Sequence, residues 1–409
     1  MSKIAVIGAG IVGVCIAYFL NKSGHQVTLY DHNKPGTQTS FGNAGIFANH
    51  DCVFANSPHL WKDLPSLLFK KDGYVSFDWF YIITHFPWMF KFLKNCTKSK
   101  VNHISKSLSD FSFHAESAYL NLFNEVNVSD YIINKDSIFL YETEEDFKKN
   151  QYMNNLRKKN NIQFDIISKE DIAKMEPSLA NVYNKGIIFR NESYTKSPII
   201  ITQRIFNSFI NNGGSFKLQK IYSISKNNDG FLLNSGNQEF KTDKIIIAAG
   251  AWSNELAQTI NDNFPLDTER GYHILFETKK NLISRSVGWA KLGFYMTPME
   301  DGIRAAGTVE IAGLKKPINK KRLKILEKSA RKILPQLGEV KSHWLGFRPT
   351  LPDSLPVIGE SKMYNNVYYA FGHQHLGLSL GAITGKVIQS LVENKKSNIN
   401  IDPFNPYRF

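Results

Sequence analysis

Three glycines near the start of the chain have a spacing that can hold a phosphate group. They belong to the run GAGIVG at residues 8–13, and Asp31 follows downstream. Gly8 permits a tight turn, Gly10 lets the backbone approach a pyrophosphate, and Gly13 lets a helix pack closely on a strand. A carboxylate such as Asp31 can accept hydrogen bonds from a ribose hydroxyl. The pattern therefore predicts a dinucleotide site.

The glycines need a strand, a helix and a second strand to position them. Residues 4–7 predict a buried parallel strand, an apolar helix runs on to Leu20 and stops at Ser23 and Gly24, and residues 26–30 predict a second strand. The free N–H groups of Ile11 and Val12 at the helix N-terminus favour phosphate. This order predicts a Rossmann-type unit. An acid at the end of the second strand disfavours NADP but leaves NAD and FAD open.

Four further motifs are spread over the rest of the chain. They are TSFGNAG at residues 39–45, DKIIIAAGAWS at 243–253, GFRPTLPD at 346–353 and GHQHLGLS at 372–379. With the glycine turn, they make the chain similar to the FAD-dependent D-amino acid oxidase superfamily, and within it to the bacterial D-amino acid dehydrogenases. The resemblance spans nearly the whole chain. It implies an α/β protein in which a Rossmann-type, glutathione-reductase-like FAD-binding domain is interleaved with an α+β substrate domain built on an antiparallel sheet.

The last of these motifs favours FAD over NAD. It follows a predicted strand at residues 367–371 and opens a helix that runs towards Val392. Reduced flavin carries negative charge at N1, which the N–H groups and dipole of a helix N-terminus stabilise. A nicotinamide enzyme needs no second glycine-rich turn so far downstream. We therefore expect FAD to be held here by Gly372, His373, Gly377, Leu378 and Ser379.

The resemblance also implies other cofactor contacts. Residues 39–45 would pass beside the pyrophosphate and the flavin, and Gly250 would end a strand near the adenosine half. Some relatives attach FAD covalently through a histidine in the first segment, where this chain has asparagine. No cysteine lies near the C-terminal flavin motif, and no Cys/His cluster has metal spacing. We predict noncovalent FAD, no metal, and contacts from Ser40, Asn43, Ala44 and Gly45.

The resemblance assigns the carboxylate of the substrate to Arg348, the arginine of GFRP. A guanidinium can hold a carboxylate by two parallel hydrogen bonds and so fix the Cα over the flavin N5. The alternative is a structural arginine paired with an acid such as Asp353.

Three further side chains are candidates for the substrate pocket. The run RGYH at residues 270–273 opens a strand where the dehydrogenases also have a Gly-Tyr pair, but usually with lysine at 270 and serine at 273. Tyr272 could face the substrate and His273 could orient it, although adjacent strand residues point to opposite faces, so both should not point inward. His375 stands where relatives commonly have a small residue or threonine, and it could reach the pocket and alter specificity.

Length and composition fit two domains. The chain has 409 residues, of which 42% are hydrophobic and 21% charged, enough for large cores. We predict an FAD-binding domain from residues 1–76, 195–262 and 342–409 and a substrate domain from residues 77–194 and 263–341. The substrate domain should contain strands near 295–297 and 303–307 and an amphipathic helix over 320–334, which Pro335 ends.

The net charge of +14 comes from 50 basic and 36 acidic side chains. Such a charge suits nucleic acid, an anionic membrane surface or acidic small molecules. The basic residues are scattered and no nucleic-acid recognition motif accompanies them, which argues against nucleic acid as a partner. Cys15, Cys52 and Cys96 form no disulfide pattern, and the first strand begins without a signal peptide. Both features favour a cytoplasmic protein.

Residues 77–94, FDWFYIITHFPWMFKFLK, are rich in aromatic side chains. Polar residues and a proline interrupt the run, so it makes a poor transmembrane helix. Two interpretations stay open. The aromatic residues can pack against the core, which we favour, or they can place the protein peripherally on the inner face of the membrane, helped by Lys91, Lys94, Lys98 and Lys100.

The resemblance implies that the chain oxidises the Cα–N bond of a small amino acid, with the D-enantiomer favoured, by hydride transfer to flavin N5. The imino acid would hydrolyse to a 2-oxo acid and ammonia, and a quinone or another carrier would take the electrons. Two alternatives stay open. One is oxidation of glycine or of a secondary amino acid such as sarcosine, proline or hydroxyproline. The other is a flavin-binding module without turnover, against which Arg348 argues, because a carboxylate anchor has little purpose there. The sequence carries no signal for an oligomeric state.

Overall fold

The computed structural model describes residues 1–48, 51–52, 56–61, 73–278 and 281–409; parts of the predicted segments 1–76 and 263–341 therefore lie outside the described residues. The helices of the described ranges are α1 (Ile11–Lys22), α2 (Trp79–Thr84), α3 (Phe86–Lys94), α4 (Lys98–Ser112), α5 (Ala115–Glu125), α6 (Glu144–Lys149), α7 (Gln151–Lys159), α8 (Lys169–Met175), α9 (Pro198–Asn211), α10 (Ser253–Gln258), α11 (Lys320–Ile333) and α12 (Gly377–Val392).

The strands of the same ranges form four sheets. In chain order they are β1 (Lys3–Ile7), β2 (Gln26–Asp31), β3 (Ile46–Phe47), β4 (Val75–Phe77), β5 (Ile132–Asn134), β6 (Ser137–Tyr141), β7 (Phe164–Ile167), β8 (Lys185–Phe189), β9 (Ser193–Thr195), β10 (Ser215–Leu218), β11 (Ser223–Asn227), β12 (Gly230–Asn234), β13 (Glu239–Thr242), β14 (Lys244–Ile247), β15 (Asp267–Phe276), β16 (Val287–Trp289), β17 (Phe294–Met299), β18 (Gly302–Ile311), β19 (Val340–Thr350), β20 (Val357–Glu360) and β21 (Val367–Phe371).

A mostly parallel sheet carries the glycine turn. Its order is β10-β2-β1-β14-β21-β20, and only β20 runs antiparallel to its neighbour. β1 and β14 are apolar over their whole buried length because helices or loops cover both faces of such a sheet. The unit β1-α1-β2 occupies the segments that the sequence predicts, and the Rossmann-type prediction is confirmed.

Helices α1, α5 and α12 pack together on one face of this sheet. Leu108 and Phe111 of α4 and Tyr119 and Leu122 of α5 belong to the same buried cluster as Ile16 of α1. The Tyr119 hydroxyl also donates a hydrogen bond of 2.6 Å to the carbonyl of Leu378 at the start of α12. Part of the segment 77–194, which we assigned to the substrate domain, therefore packs on the helices that cover the cofactor sheet.

The largest sheet has the order β19-β15-β18-β17-β16-β6-β8-β7, and β4 adds to β18. Its pairs are antiparallel except β16–β6 and β18–β4. The predicted strands and amphipathic helix appear as β17, β18 and α11, and α11 packs on one face of the sheet through Leu326, Ala330 and Ile333. β19 pairs along β15, so the predicted boundary at residue 342 lies inside this sheet. The division into two domains stays a prediction.

Residues 77–94 form two short helices that divide their aromatic side chains between two directions. The Tyr81 hydroxyl donates to Asp267 (2.6 Å) and the Trp88 indole donates to the carbonyl of Pro265 (2.8 Å), which anchors α2 and α3 on the protein. The outward side chains are 44–76% exposed: Trp79, Phe80, Ile83, Phe86 and Phe90. The favoured prediction of a core segment is therefore wrong for this outward half. Among the residues described, no helix has the length and apolar character needed to cross a membrane.

Candidate cofactor and substrate site

A cleft of about 250 Å³ lies where the carboxyl ends of β1, β2, β14 and β21 meet. Parallel sheets place ligand sites at this edge because the strand ends and following turns converge there. The structure brings many of the predicted cofactor residues together in the lining of this cleft: Gly8, Gly10, Ile11, Val12, Asp31, Ser40, Gly250, Gly372, His373 and Gly377.

Two glycines of the N-terminal motif, Gly8 and Gly13, leave no room for a side chain. Gly8 has φ +110°, and a Cβ there would lie 2.3 Å from the carbonyl oxygen of Ala248. A Cβ on Gly13 would lie 1.8 Å from the carbonyl oxygen of Gly8, because α1 crosses β1 closely. Gly13 does not line the cleft, and it acts as the sequence predicts, in helix–strand packing.

Two helix N-termini open into the cleft. α1 follows Gly10 and α12 follows Leu376; neither has a side-chain cap or an acidic residue in its first turn. Gly377 and Ile11 both line the cleft, and the Ile11 N–H donates to Ser40 Oγ at 2.9 Å. The Ile11 N–H is therefore engaged by Ser40, but the remaining N–H groups of the two first turns and the two positive dipole ends favour a ligand with two separated negative groups.

Asp31 closes the cleft beside the glycine turn. Its Oδ2 accepts from the N–H of Ala9 (2.7 Å) and its Oδ1 from the N–H of Asn33 (2.8 Å). Each carboxylate oxygen has a second lone pair, so Asp31 can still accept from a ribose hydroxyl. Sequence reasoning missed a neighbouring part of the wall, residues 219–222, which follow β10 and carry no motif. The signal that could have found them is the position of β10 next to β2.

The segment 39–45 crosses from the cleft to the large sheet. Asn43 braces it internally, since its Oδ1 accepts from the Gly45 N–H (2.8 Å) and its Nδ2 donates to the Ser40 carbonyl (2.9 Å). Arg304 of β18 donates to the carbonyls of Phe41 (3.0 Å) and Asn43 (2.9 Å). Ser40 lines the cleft, whereas Asn43, Ala44 and Gly45 lie outside its lining.

Two other predicted cofactor residues hold in place the turn at residues 372–377, which leads into α12. Ser379 Oγ accepts from the N–H of Ala48 (2.9 Å), and the carbonyl of Leu378 accepts from Tyr119. Both lie beyond the cleft lining. Their contacts fix the first turn of α12, and their part in holding the cofactor stays a prediction.

His273 and His373 are buried neutral imidazoles. Burial, with the positive charge of Arg304 nearby, lowers the pKa of His273 to about 3, and burial alone lowers the pKa of His373 to about 3. His273 Nδ1 lies 3.0 Å from the carbonyl of Gly42, so this nitrogen carries the hydrogen. His373 Nε2 lies 2.9 Å from Thr384 Oγ1. Both rings are positioned to hold turns and neither is suited to accept a proton near neutral pH.

Arg348 extends from β19 across β15, where Gly271 leaves space for it. A Cβ on Gly271 would lie 2.4 Å from Arg348 Nη2. Arg348 Nη1 donates to the carbonyl of Thr308 at 2.8 Å. Thr308 has φ +56°, a conformation that costs a β-branched residue about 1–3 kcal/mol and that is often found at functional sites. The strained carbonyl thus orients the guanidinium.

The acid considered as a structural partner of Arg348 is already paired elsewhere. Asp353 accepts hydrogen bonds from Arg408 Nε (2.6 Å) and Nη2 (3.1 Å). Within the described residues, Arg348 forms no ion pair, and only its Nη1 donates a hydrogen bond. Burial lowers the pKa of Arg348, although an arginine stays charged at neutral pH. The guanidinium therefore keeps N–H groups for a ligand.

Strand pairing puts Arg348 and His273 on one face of the large sheet and Tyr272 on the other. The register pairs Glu269 with Arg348 and His273 with Trp344, and adjacent residues alternate between faces. Tyr272 is buried in the cluster under α11, where its hydroxyl donates to Glu310. The structure therefore separates Tyr272 from Arg348, and we no longer place it in the pocket.

His375 lies on the turn before α12, on the side of the cleft near Arg348. Its Nε2 is 3.3 Å from Asp51 Oδ2, and its charge also acts on Glu269. Sequence reasoning missed Glu269 and Trp344, whose ring stacks on His273 with centroids 5.3 Å apart. Neither has a motif; only the pairing of β15 with β19 brings them to the site.

Comparison with known proteins identifies this arrangement. Residues 3–391 match the family model described as FAD dependent oxidoreductase, DAO. The chain belongs to this family of FAD-dependent oxidoreductases. It is 30% identical to a D-amino-acid oxidase of Bradyrhizobium diazoefficiens (99% of this chain, 98% of the relative) and 25% identical to a D-amino acid dehydrogenase of Helicobacter pylori (98% and 97%). The fold matches glycine oxidase of Geobacillus kaustophilus with a TM-score of 0.78, at 19% identity and full coverage of both chains.

The residues that line the cleft suit FAD, and the predicted cofactor is confirmed by membership of this FAD-dependent oxidoreductase family. The N-terminus of α1 with Gly10 would hold the pyrophosphate, Asp31 the adenosine ribose, and the N-terminus of α12 the flavin ring. The two uncapped helix ends match the two negative parts of reduced FAD. These individual assignments remain predictions.

Proposed function

We propose that the protein oxidises the Cα–N bond of a small α-amino acid, with the D-enantiomer favoured. Arg348 is the observation that carries this proposal. It is a charged side chain with unused N–H groups, and the next residue, Pro349, lines the cofactor cleft. A carboxylate bound to Arg348 would bring the adjacent Cα next to the flavin. The D-amino-acid oxidase and dehydrogenase relatives support the choice of substrate.

Bound FAD supplies the hydride acceptor of this reaction. Arg348 fixes the carboxylate by paired hydrogen bonds, and the carbonyl of Thr308 holds the guanidinium in one orientation. The N-terminus of α12 stabilises negative charge at the far end of the cleft. The imino acid leaves the site and hydrolyses to a 2-oxo acid and ammonia.

We propose noncovalent attachment of FAD. Asn43, which takes the place of the histidine used for covalent attachment in some relatives, is an amide, and it is bonded to Ser40 and Gly45. The three cysteines are buried, and none lines the cleft. Neither the residue at position 43 nor any of the three cysteines therefore offers a nucleophile to the flavin.

Anaerobic bleaching of the flavin tests the function. The holoenzyme is mixed with D- and L-amino acids, glycine, sarcosine and proline, and the flavin absorbance is followed. We expect the fastest bleaching with a small D-amino acid. Faster bleaching by glycine or a secondary amine would assign the alternative substrate class, and no bleaching by any of them would contradict the proposal.

Reoxidation of the flavin in the same cell by a quinone analogue should be faster than its reoxidation by air. Rapid stoichiometric formation of peroxide would instead make the protein an oxidase.

We further propose peripheral contact with an anionic membrane through an aromatic surface, defined as Trp79, Phe80, Ile83, Phe86 and Phe90. Lysines follow it at positions 91, 94, 98 and 100, and Lys94 Nζ lies 4.5 Å above the Phe90 ring. Each basic residue near an anionic surface contributes about 1 kcal/mol. The surface is anchored through Tyr81 to Asp267, the first residue of β15. Contact here would bring membrane quinone towards the flavin site.

Sedimentation with vesicles tests this contact. We expect the holoenzyme to bind equimolar phosphatidylglycerol–phosphatidylcholine vesicles, to bind pure phosphatidylcholine weakly, and to be released by high salt because surface charges are screened. Phe80→Ser together with Phe86→Ser should abolish binding. Phe113→Ser is the matched control, because Phe113 is 82% exposed but lies outside the aromatic surface. Equal binding by the double variant would rule the surface out.

A further inference from the structure

Glu269 is a buried carboxylate beside Arg348. It is paired with Arg348 in the register of β15 and β19 and is 7% exposed. Within the described residues it accepts no hydrogen bond and has no cationic nitrogen within 4.0 Å. The other buried glutamates are satisfied: Glu176 by Ser284 and Arg285, Glu192 by Ser137, and Glu310 by Tyr272 and Asn319.

A buried carboxylate without a partner lowers the stability of the folded protein, because a buried charge needs an opposite charge or a hydrogen-bond donor. The charged groups that act on Glu269 are Arg348 from β19, His375 from the turn before α12, and Asp267 on its own strand. Burial raises the pKa of Glu269, and the positive charges of Arg348 and His375 oppose this. Two neighbouring strands thus present a carboxylate and a guanidinium, each with unused bonding capacity.

These two groups complement an α-amino acid, which carries a carboxylate and an ammonium on one carbon. We propose that Glu269 binds the nitrogen of the substrate while Arg348 binds its carboxylate; this inference rests on the proposed function. The ammonium donates a hydrogen bond to Glu269 and then passes it one proton: an N–H bond breaks, its electron pair stays on nitrogen, and an O–H bond forms on the carboxylate. The neutral amine is the form that can release hydride from Cα. The pair therefore selects amino acids over 2-hydroxy acids and simple carboxylates.

Two matched ligands separate the roles of the pair. 2-Aminoisobutyrate has both charged groups but no α-hydrogen, so it binds without being oxidised, and isobutyrate lacks only the nitrogen. Binding to the holoenzyme is followed by the change in flavin absorbance. Glu269→Gln should weaken 2-aminoisobutyrate on the order of 10- to 100-fold, as expected for a lost charged hydrogen bond, and leave isobutyrate unchanged or tighter. Arg348→Ala should weaken both ligands.

Further variants guard against a merely structural effect. Glu269→Asp keeps the charge and should restore part of the discrimination between the two ligands. If Glu269→Gln loses its flavin, ligand binding is measured on Glu269→Asp in its place. Glu277→Gln, exposed just beyond the end of β15, should change neither ligand. In the wild type, the affinity for 2-aminoisobutyrate should fall as the pH falls through the pKa of Glu269. Glu269→Gln should not show this fall in affinity.

An equal loss of both ligands in Glu269→Gln, or no loss of either, overturns the role of Glu269. Failure of the proposed function looks different. In that case the wild type itself binds neither ligand and no amino acid bleaches its flavin.

Discussion

Arg348→Ala should lower kcat/KM for the best amino acid by roughly 30- to 1,000-fold, corresponding to about 2–4 kcal/mol of lost charge-assisted hydrogen bonding. The loss should appear chiefly as a higher KM, because the guanidinium holds the substrate carboxylate before and during the reaction. Flavin content should stay unchanged, since Arg348 lies on β19 and outside the cleft lining. Steady-state kinetics with an artificial electron acceptor measure the effect.

Arg348→Lys provides the matched comparison. Lysine keeps the positive charge but lacks the planar fork, so it should recover only part of the affinity. Gly271→Ala approaches the same guanidinium from the facing strand, since its Cβ would lie 2.4 Å from Nη2, and it should raise KM without removing any charge. An unchanged KM in Arg348→Ala would remove this residue from the site.

The sequence predicts the cofactor half of the site well because its signals are local. The strand, glycine turn, helix and acid of residues 4–31 follow one another directly, and each supplies a neighbouring part of the cleft. The turn at residues 372–379 is local in the same way, and contacts of Leu378 and Ser379 with Tyr119 and Ala48 hold it in place. Arg348 was found through a motif of the family rather than through its surroundings.

The substrate half depends on pairing between distant strands. Glu269 meets Arg348 only through the register of β15 with β19, and Trp344 meets His273 in the same way. Strand periodicity predicts that Tyr272 and His273 face opposite sides of the sheet, but it does not predict which side carries the site. Thr308 is equally hidden, because its positive φ arises at an irregularity in the pairing of β15 with β18.

The aromatic segment shows a different limit. Its run of apolar residues is broken by His85 and Pro87 into helices of six and nine residues, too short for a clear periodicity. Whether an aromatic ring faces inward depends on the distant groups that receive it, such as Asp267 for Tyr81 and Pro265 for Trp88. Composition therefore indicates both a core and a surface segment, and the structure contains both.

Gly8→Ala should remove FAD from the purified protein. At φ +110° an alanine pays about 1–2 kcal/mol of backbone strain, and its Cβ would lie 2.3 Å from the Ala248 carbonyl, which adds roughly 1–3 kcal/mol of overpacking. Because Gly8 and Ala248 both line the cleft, the backbone shift that relieves this collision deforms the site itself. Flavin content, measured after acid precipitation releases noncovalent FAD, should fall to a small fraction of the wild-type value.

Gly24→Ala separates strain from collision in this experiment. Gly24 also has a positive φ, +90°, but no atom beyond its chain neighbours lies within 4 Å of its Cβ position, and it lies in the exposed turn after α1. This variant should lose about 1–2 kcal/mol of stability through backbone strain alone and keep its flavin. Equal flavin loss in both variants would mean that strain anywhere near α1 disrupts binding. Full flavin content in Gly8→Ala would show that the cofactor does not bind at this turn. The added methyl group collides with the backbone of Ala248, directly after β14, so a site built on Gly8 could not keep its shape.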